Sequence, residues 1–369
     1  MKKNNKGIEQ MAQRQIKVFS HNDLDGFGAP FLLTAVQELV FPDEQFEITN
    51  IGAGKIDEEL DYWFAHADLG AYTDVYIMDM TPESEHTFQQ LNTNFANHWL
   101  VFDHHETAAA SRQQYSNNMV TFDNGQNQSA TSLVWNWVQQ QDRAERLAPE
   151  RQTTLAQIVE LIRAYDTWDW QNDPTLAKEV KTGADELDQL FWFYPLDHSA
   201  EFIQKVYLEG WSQYREENKL LIQTLNDRRQ HYLHHHLKDV LIDELGGHKW
   251  GFVYADDYKS EIAHELLEEH PEVAAAMVIS PTSLSLRSNG QIDVAKFAEK
   301  YFRGGGHADA AGGRIDINMI QVGERAVIEH VQNQIQEAAK DQAANQETVA
   351  DNLDPAVAEK LAALFGDQN

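Results

Sequence analysis

Three short apolar runs end directly on acidic or histidine residues, and this constrains the fold more than any other feature of the chain. Residues 16–20 run into His21-Asn22-Asp23-Leu24-Asp25-Gly26, residues 75–78 into Asp79, and residues 99–102 into Asp103-His104-His105. Runs of this length read as buried strands. Between them lie segments with helical spacing of apolar residues, at 26–40, 55–67 and 84–93, and one further strand at 46–51. Strands alternating with helices predict an α/β fold: a mostly parallel, doubly wound sheet with helices on both faces. Ligands of such sheets bind at the carboxyl ends of the strands. The topology therefore gathers the three clusters at one edge. A fourth polar segment, Arg163-Ala164-Tyr165-Asp166-Thr167-Trp168-Asp169-Trp170, ends a predicted helix and can close over that edge.

The remaining chain suggests two lobes. Residues 1–15 read as a flexible polar arm and 16–200 as the main domain, with 119–122 as an edge strand and helices at 129–141, 150–165 and 175–193. Residues 201–238 read as a helical connector, one long helix or a broken one. A smaller α/β domain follows at 239–320, with strands at 249–255, 274–280 and 283–287 and helices at 261–269 and 294–301. The tail, 321–369, reads as a helix with a disordered end.

Composition narrows the function. Lys+Arg is 29 and Asp+Glu 59, a net charge of −30. A binder of long duplex nucleic acid needs a basic face. A short nucleotide remains compatible, because bound cations can supply local positive charge. With no cysteine, thiolate metal sites and cysteine nucleophiles are excluded. No apolar stretch approaches the roughly 18 residues of a membrane span, so a cytoplasmic location is expected.

Crowded carboxylates repel unless positive charge sits between them. Asp23, Asp25, Asp79 and Asp166 supply four negative charges, which two divalent cations would neutralise. Carboxylate plus imidazole without sulfur suits Mn²⁺ or Mg²⁺, and less decisively Zn²⁺ or Fe²⁺. Two such ions about 3.5–4 Å apart clamp a phosphate around a shared hydroxide. Taken alone, Asp25-Gly26 could be a helix cap. The segment also imitates a calcium loop, but Leu32 stands where the bidentate glutamate belongs.

The motifs His21-x-Asp23-x-Asp25-Gly26, Asp79, Asp103-His104-His105 and Asp166 resemble, in order, those of the DHH phosphoesterase family. Gly304-Gly305-Gly306-His307 resembles the glycine–histidine motif of the associated DHHA1 domain. Ser129-Ala130-Thr131-Ser132, Tyr165-Asp166-Thr167-Trp168, Tyr258-Lys259-Ser260-Glu261 and Ser285-Leu286-Arg287 look like the oligoribonuclease B (nanoRNase) branch. The resemblance spans roughly residues 16–315.

It implies a bilobal enzyme with a Mn²⁺ pair and a cleft between the lobes. His21, Asp23 and Asp79 would hold one ion; Asp25, Asp79, His104 and Asp166 the other. His105 would face the substrate phosphate and Asp103 would orient a neighbouring histidine. Arg287, Gly304, Gly305, Gly306 and His307 would hold the nucleotide's other phosphate or sugar. The expected activity is hydrolysis of very short single-stranded RNA to nucleoside 5′-monophosphates. A linear or cyclic dinucleotide phosphodiesterase, a 3′-phosphoadenosine phosphatase and a non-catalytic nucleotide-binding regulator are the alternatives. A homodimer is left open.

Overall fold

The computed structural model describes residues 13–316 and 323–351. The chain divides into two compact units between Leu225 and Asn226. The expectation of a frayed arm falls largely on residues 1–12, outside the described residues; the first strand already begins at Arg14. The expected disordered end likewise lies outside them.

The first unit alternates strand and helix: β1 (Arg14–His21), α1 (Leu24–Val40), β2 (Glu44–Ile51), α2 (Ile56–His66), β3 (Asp74–Met78), α3 (Glu85–Phe95) and β4 (Trp99–Phe102). The four strands are parallel, in the order β2-β1-β3-β4. Alternate residues of each strand face opposite sides, so both faces are apolar. Ile16, Val18, Tyr76 and Met78 pack with α1 and later helices. Phe19, Val75, Ile77 and Val101 pack with α2 and α3. This is the doubly wound arrangement that the alternation predicts.

Residues 119–122 do not form the expected edge strand. Met119 makes only an isolated parallel bridge to Val101. Beyond it Asp123 and Asn124 bond the amides two residues ahead, Gly125 and Gln126, and such local bonds compete with a ladder.

Helices then follow: α4 (Ala109–Gln114), α5 (Ala130–Gln139), α6 (Pro149–Asp166), α7 (Asp169–Asn172), α8 (Lys178–Phe193), α9 (Ser199–Glu209), α10 (Trp211–Glu217) and α11 (Lys219–His236). The stretch after 200 is a broken helix. Gly210, at φ 82°, separates α9 from α10, and Asn218 separates α10 from α11. Phe202, Ile203, Val206 and Tyr207 of α9 lie in the first unit's core.

Two departures from ideal α1 geometry shape its neighbourhood. Pro30 lies inside the helix and has no N–H to donate to the carbonyl of Gly26. That carbonyl accepts instead from Ser20 Oγ at 2.5 Å and Asn50 Nδ2 at 3.2 Å. Gly28 lets α1 close on its neighbours: a Cβ there would lie 2.5 Å from Thr131 Oγ1 and 2.8 Å from Ile162 Cδ1.

The second unit contains β5 (Leu241–Leu245), β6 (His248–Tyr254), α12 (Lys259–Glu269), β7 (Ala275–Ile279), β8 (Ser283–Ser288), α13 (Val294–Phe302), β9 (Gly305–Gly306), β10 (Ala310–Arg314) and α14 (Glu324–Asp351). Its sheet has the order β5-β6-β7-β8-β10-β9, antiparallel except for β6–β7. One face packs Trp250, Phe252, Met277 and Leu286 against α13 and α14. The other packs Val253, Ala276 and Val278 against α12.

Overpacking a tight helix contact costs about 1–3 kcal/mol. Gly28→Val is therefore expected to lower stability by about 2 kcal/mol, read from its urea unfolding midpoint. An unchanged midpoint would show that α1, α5 and α6 can separate at no cost.

Candidate functional site

Strand register builds the site. Ser20 pairs with Met78, and Met78 with Phe102, so the next residues, His21, Asp79 and Asp103, leave the sheet in one row. Asp79 has φ 58°, a left-handed conformation that few residues other than glycine adopt. Its N–H donates to Phe102 O at 2.8 Å. Such backbone strain, of order 1–3 kcal/mol, persists only where the surroundings enforce it.

Side chains from distant parts of the chain converge on Asp79. His21, Asp23 and Asp79 form one set of donor atoms lying within 4.8 Å of one another. Asp25, Asp79, His104 and Asp166 form a second, and Asp79, His104 and His105 a third. Asp79 is common to all three. His104 Nε2 lies 3.4 Å from Asp79 Oδ1 and 3.1 Å from Asp166 Oδ2. No hydrogen bond reaches either oxygen of Asp79, His104 Nε2 or Asp166 Oδ2, although all four atoms are buried. Buried polar atoms normally have partners, and orphaned oxygen and imidazole nitrogen facing one another fit hard divalent cations.

Supporting groups hold these donors. The Asp25 carboxylate accepts the amides of Ala130 at 2.6 Å and Thr131 at 2.9 Å. These are the first amides of α5, whose cap is a reciprocal Ser129–Ser132 pair. A helix N-terminus favours an anion. Asn50 Nδ2 donates to His21 O at 2.7 Å, and Asp23 accepts from Gly26 N at 2.9 Å. A Cβ on Gly26 would lie 2.3 Å from His21 O, so the return of the loop admits only glycine. Asp103 Oδ1 meets His105 Nδ1 at 2.6 Å, and its Oδ2 accepts from Thr81 Oγ1 at 2.6 Å. Arg163 binds Glu160, Asp169 and the carbonyl of Asn127, fixing the turn beyond Asp166. Trp168 and Trp170 pack against the core there.

The remaining predicted residues lie in the second unit. Arg287 on β8 is opposite Ala310 on β10; Ser285 is opposite Gly312, and Gly312 opposite Gly305. Opposed residues share a face, so Arg287, Ser285, Gly312 and Gly305 lie on one side of the sheet. A Cβ on Gly305 would meet nothing within 4 Å. Arg287 Nη2 donates to Ser260 Oγ at 2.5 Å. Gly304 and Gly306 are required by close strand packing: a Cβ would lie 1.9 Å from Gly312 O and 2.4 Å from Ala310 O respectively. The amides of Gly304 and His307 donate to Ala298 O and Ala310 O. Neither is therefore available to an anion. His307 is exposed.

Residues 252–341 match the family model described as the DHHA1 domain. The chain is 27% identical over 303 residues to oligoribonuclease NrnB of Bacillus subtilis, covering 80% of this chain and 71% of that protein. The chain is thus similar to proteins of the DHH/DHHA1 phosphoesterase family. It is also 23% identical over 340 residues to a 3′,5′-cyclic-nucleotide phosphodiesterase of Helicobacter pylori, covering 82% of this chain and 93% of that one. A crystal structure of the exonuclease RecJ bound to manganese shares the fold, with a TM-score of 0.53 at 16% identity over 89% of this chain and 90% of that chain.

The electrostatics of this site suit a cluster that could hold cations. Burial, then the charges of Asp23 and Asp25, push Asp79 well above the usual carboxylate range. Burial does the same to Asp166, against the pull of His104. Burial disfavours charge on His21, but its hydrogen bond to Asp23 and the nearby charges of Asp23 and Asp79 lift it to about 10. Asp23 is pushed up by burial yet brought down to about 2 by His21 and the Gly26 amide. Asp103 likewise falls to about 2, against its burial, through His105 and Thr81. His21 is thus protonated near neutrality, and Asp79 and Asp166 hold their protons more tightly than ordinary carboxyls. A cation must displace these protons, because ligands bind deprotonated. Mn²⁺ addition to chelator-treated protein at pH 7 is expected to release protons and to bind more tightly as pH rises. Calorimetry in buffers of different ionisation enthalpy measures this; heats independent of buffer would contradict it.

Proposed function

We propose that the protein is a divalent-metal-dependent phosphodiesterase that hydrolyses very short single-stranded RNA to nucleoside 5′-monophosphates. The observation that carries this reading is Asp79, a buried carboxylate whose two oxygens lack hydrogen bonds and which belongs to both main donor sets. The similarity to an oligoribonuclease and a cyclic-nucleotide phosphodiesterase supports a hydrolase of the phosphodiester class. The solved manganese complex of RecJ supports Mn²⁺, with Mg²⁺ as the other candidate. Among the described residues no helix is long and apolar enough to cross a membrane.

In this reading His21, Asp23 and Asp79 hold one ion, and Asp25, Asp79, His104 and Asp166 the other. Bound ions supply Lewis acidity at the phosphoryl oxygens and lower the pKa of water. The chain's own residues do the rest. The α5 amides hold Asp25 in position, and Asp103 fixes the His105 ring so that it can donate to a phosphoryl oxygen as charge develops. Arg287, the open surface at Gly305 and the exposed His307 side chain would bind a phosphate or sugar of the nucleotide, whereas the amides of Gly304 and His307 are given to the second unit's own backbone. The units divide the work, with chemistry in the first and nucleotide recognition in the second.

A time course on 5′-end-labelled RNAs of two to twenty nucleotides with Mn²⁺ tests the proposal. Rapid conversion of the shortest to mononucleotides is expected. Cleavage confined to a cyclic or dinucleotide substrate would favour the cyclic-nucleotide relative's chemistry instead, and no turnover with any of them would overturn the reading.

Two further outcomes follow. Asp79→Ala should abolish turnover and lower metal content, whereas His105→Ala should keep the metals and lose on the order of 10²–10³ in rate; metal analysis beside kcat separates them. Arg287→Ala should cripple dinucleotide hydrolysis yet barely affect a small chromogenic phosphodiester. An equal loss on both substrates would assign Arg287 to the fold alone.

A further inference from the structure

Asp103 does more than hold His105. Its side-chain Oδ1 meets His105 Nδ1 at 2.6 Å, while its main-chain carbonyl accepts Arg112 Nη1, from α4, at 3.2 Å. One residue therefore anchors two donors, an imidazole and a guanidinium, beside the donor row.

Arg112 stands apart from the other buried and half-buried arginines of the first unit; Arg146, also without an acidic partner among the described residues, is exposed. Arg14 pairs with Glu44 and Asp74, Arg143 with Asp43, Arg163 with Glu160 and Asp169, and Arg215 with Glu186. Arg151 gives bonds to two carbonyls, those of Tyr207 and Ala35. Arg112 has the single bond to Asp103 O and no carboxylate partner among the described residues. Its side chain is half-buried, and a guanidinium carries five N–H donors in a planar fork. One donor is spent on fixing its place.

We propose that Arg112 is a substrate-binding residue of the first unit, its remaining N–H donors taking phosphoryl oxygens of the nucleotide on the His105 side of the metal site. A fork of this kind suits a phosphate, which it can engage through two parallel bonds. The inference rests on the phosphodiesterase reading above, but it assigns the first unit an anion contact of its own, independent of Arg287.

The test uses the full chain loaded with Mn²⁺, with adenosine 5′-monophosphate as the probe and calorimetry as the readout. Loss of a charge-assisted bond weakens binding by about tenfold or more. Arg112→Gln is expected to raise the Kd by that factor and Arg112→Lys by less, at unchanged metal content and Tm. The salt dependence of binding should also weaken, as one charged contact is lost. With a dinucleotide substrate, KM should rise while kcat changes little. A Kd within twofold of wild type in Arg112→Gln overturns the proposal. So does a fall in kcat with Kd unchanged, because Arg112 would then act only through Asp103 and His105. If Arg112→Gln loses metal or stability, Arg112→Lys, which can keep the bond to Asp103 O, decides by the same Kd. Failure of the wild type to cleave short RNA would overturn the reading in the preceding subsection, whereas mononucleotide binding would still report on Arg112. Absence of mononucleotide binding to the wild type would overturn the inference itself.

Discussion

Mutual repulsion among Asp23, Asp25, Asp79 and Asp166 is the constraint around which the first unit is arranged. Carboxylates brought this close in a buried setting cannot all be charged without compensation. The structure spreads the compensation over unlike devices. The amides of α5 take Asp25, His21 takes Asp23, and His104 lies against Asp79 and Asp166. What these leave over is carried by raised proton affinity on Asp79 and Asp166. The cluster is thus destabilising in isolation, and bound cations would make it favourable, which would link folding to metal loading.

Much of this was legible in the sequence because it is local. Alternating apolar strands and amphipathic helices are short-range patterns, and a parallel sheet converts them into a row of strand ends. The positions of His21, Asp79 and Asp103 follow from that alone. The supports were not legible, because they come from far along the chain or from residues with no distinctive pattern. Ala130 and Thr131 bind Asp25 through their backbones, across more than a hundred positions. Ser129-Ala130-Thr131-Ser132 was visible as a motif, but its task was not. Asn50 and Thr81 are single polar residues at strand ends, and only the fold shows that they hold His21 and Asp103.

The second unit shows the opposite limit. Strands β6, β7 and β8 were readable, whereas the partly exposed β5 was missed and β9 and β10 were hidden by glycine and alanine, residues with little strand preference. Their composition follows from backbone packing: Gly304 lies against Gly312, and Gly306 against Ala310. The glycine run is thus explained in part by the sheet itself. What the sheet leaves available is the open surface at Gly305, on the same side as Arg287. The break at Gly210 was likewise undecidable from periodicity, since apolar spacing continues on either side of it.

Pro30 gives α1 an unusual mechanical character. Because the rung between its first turn and the rest is missing, that turn is fastened from outside, by Ser20 and Asn50. The position of Asp23 and Asp25 is therefore set by the sheet edge and by α5 as well as by the helix they begin. An engineer who stiffened α1 through its outer turns would gain stability without tightening the donor set. One who altered β2 at Asn50 would loosen the donors while leaving the helix intact. Robustness and precision are thereby separable in this unit, and can be adjusted through different elements.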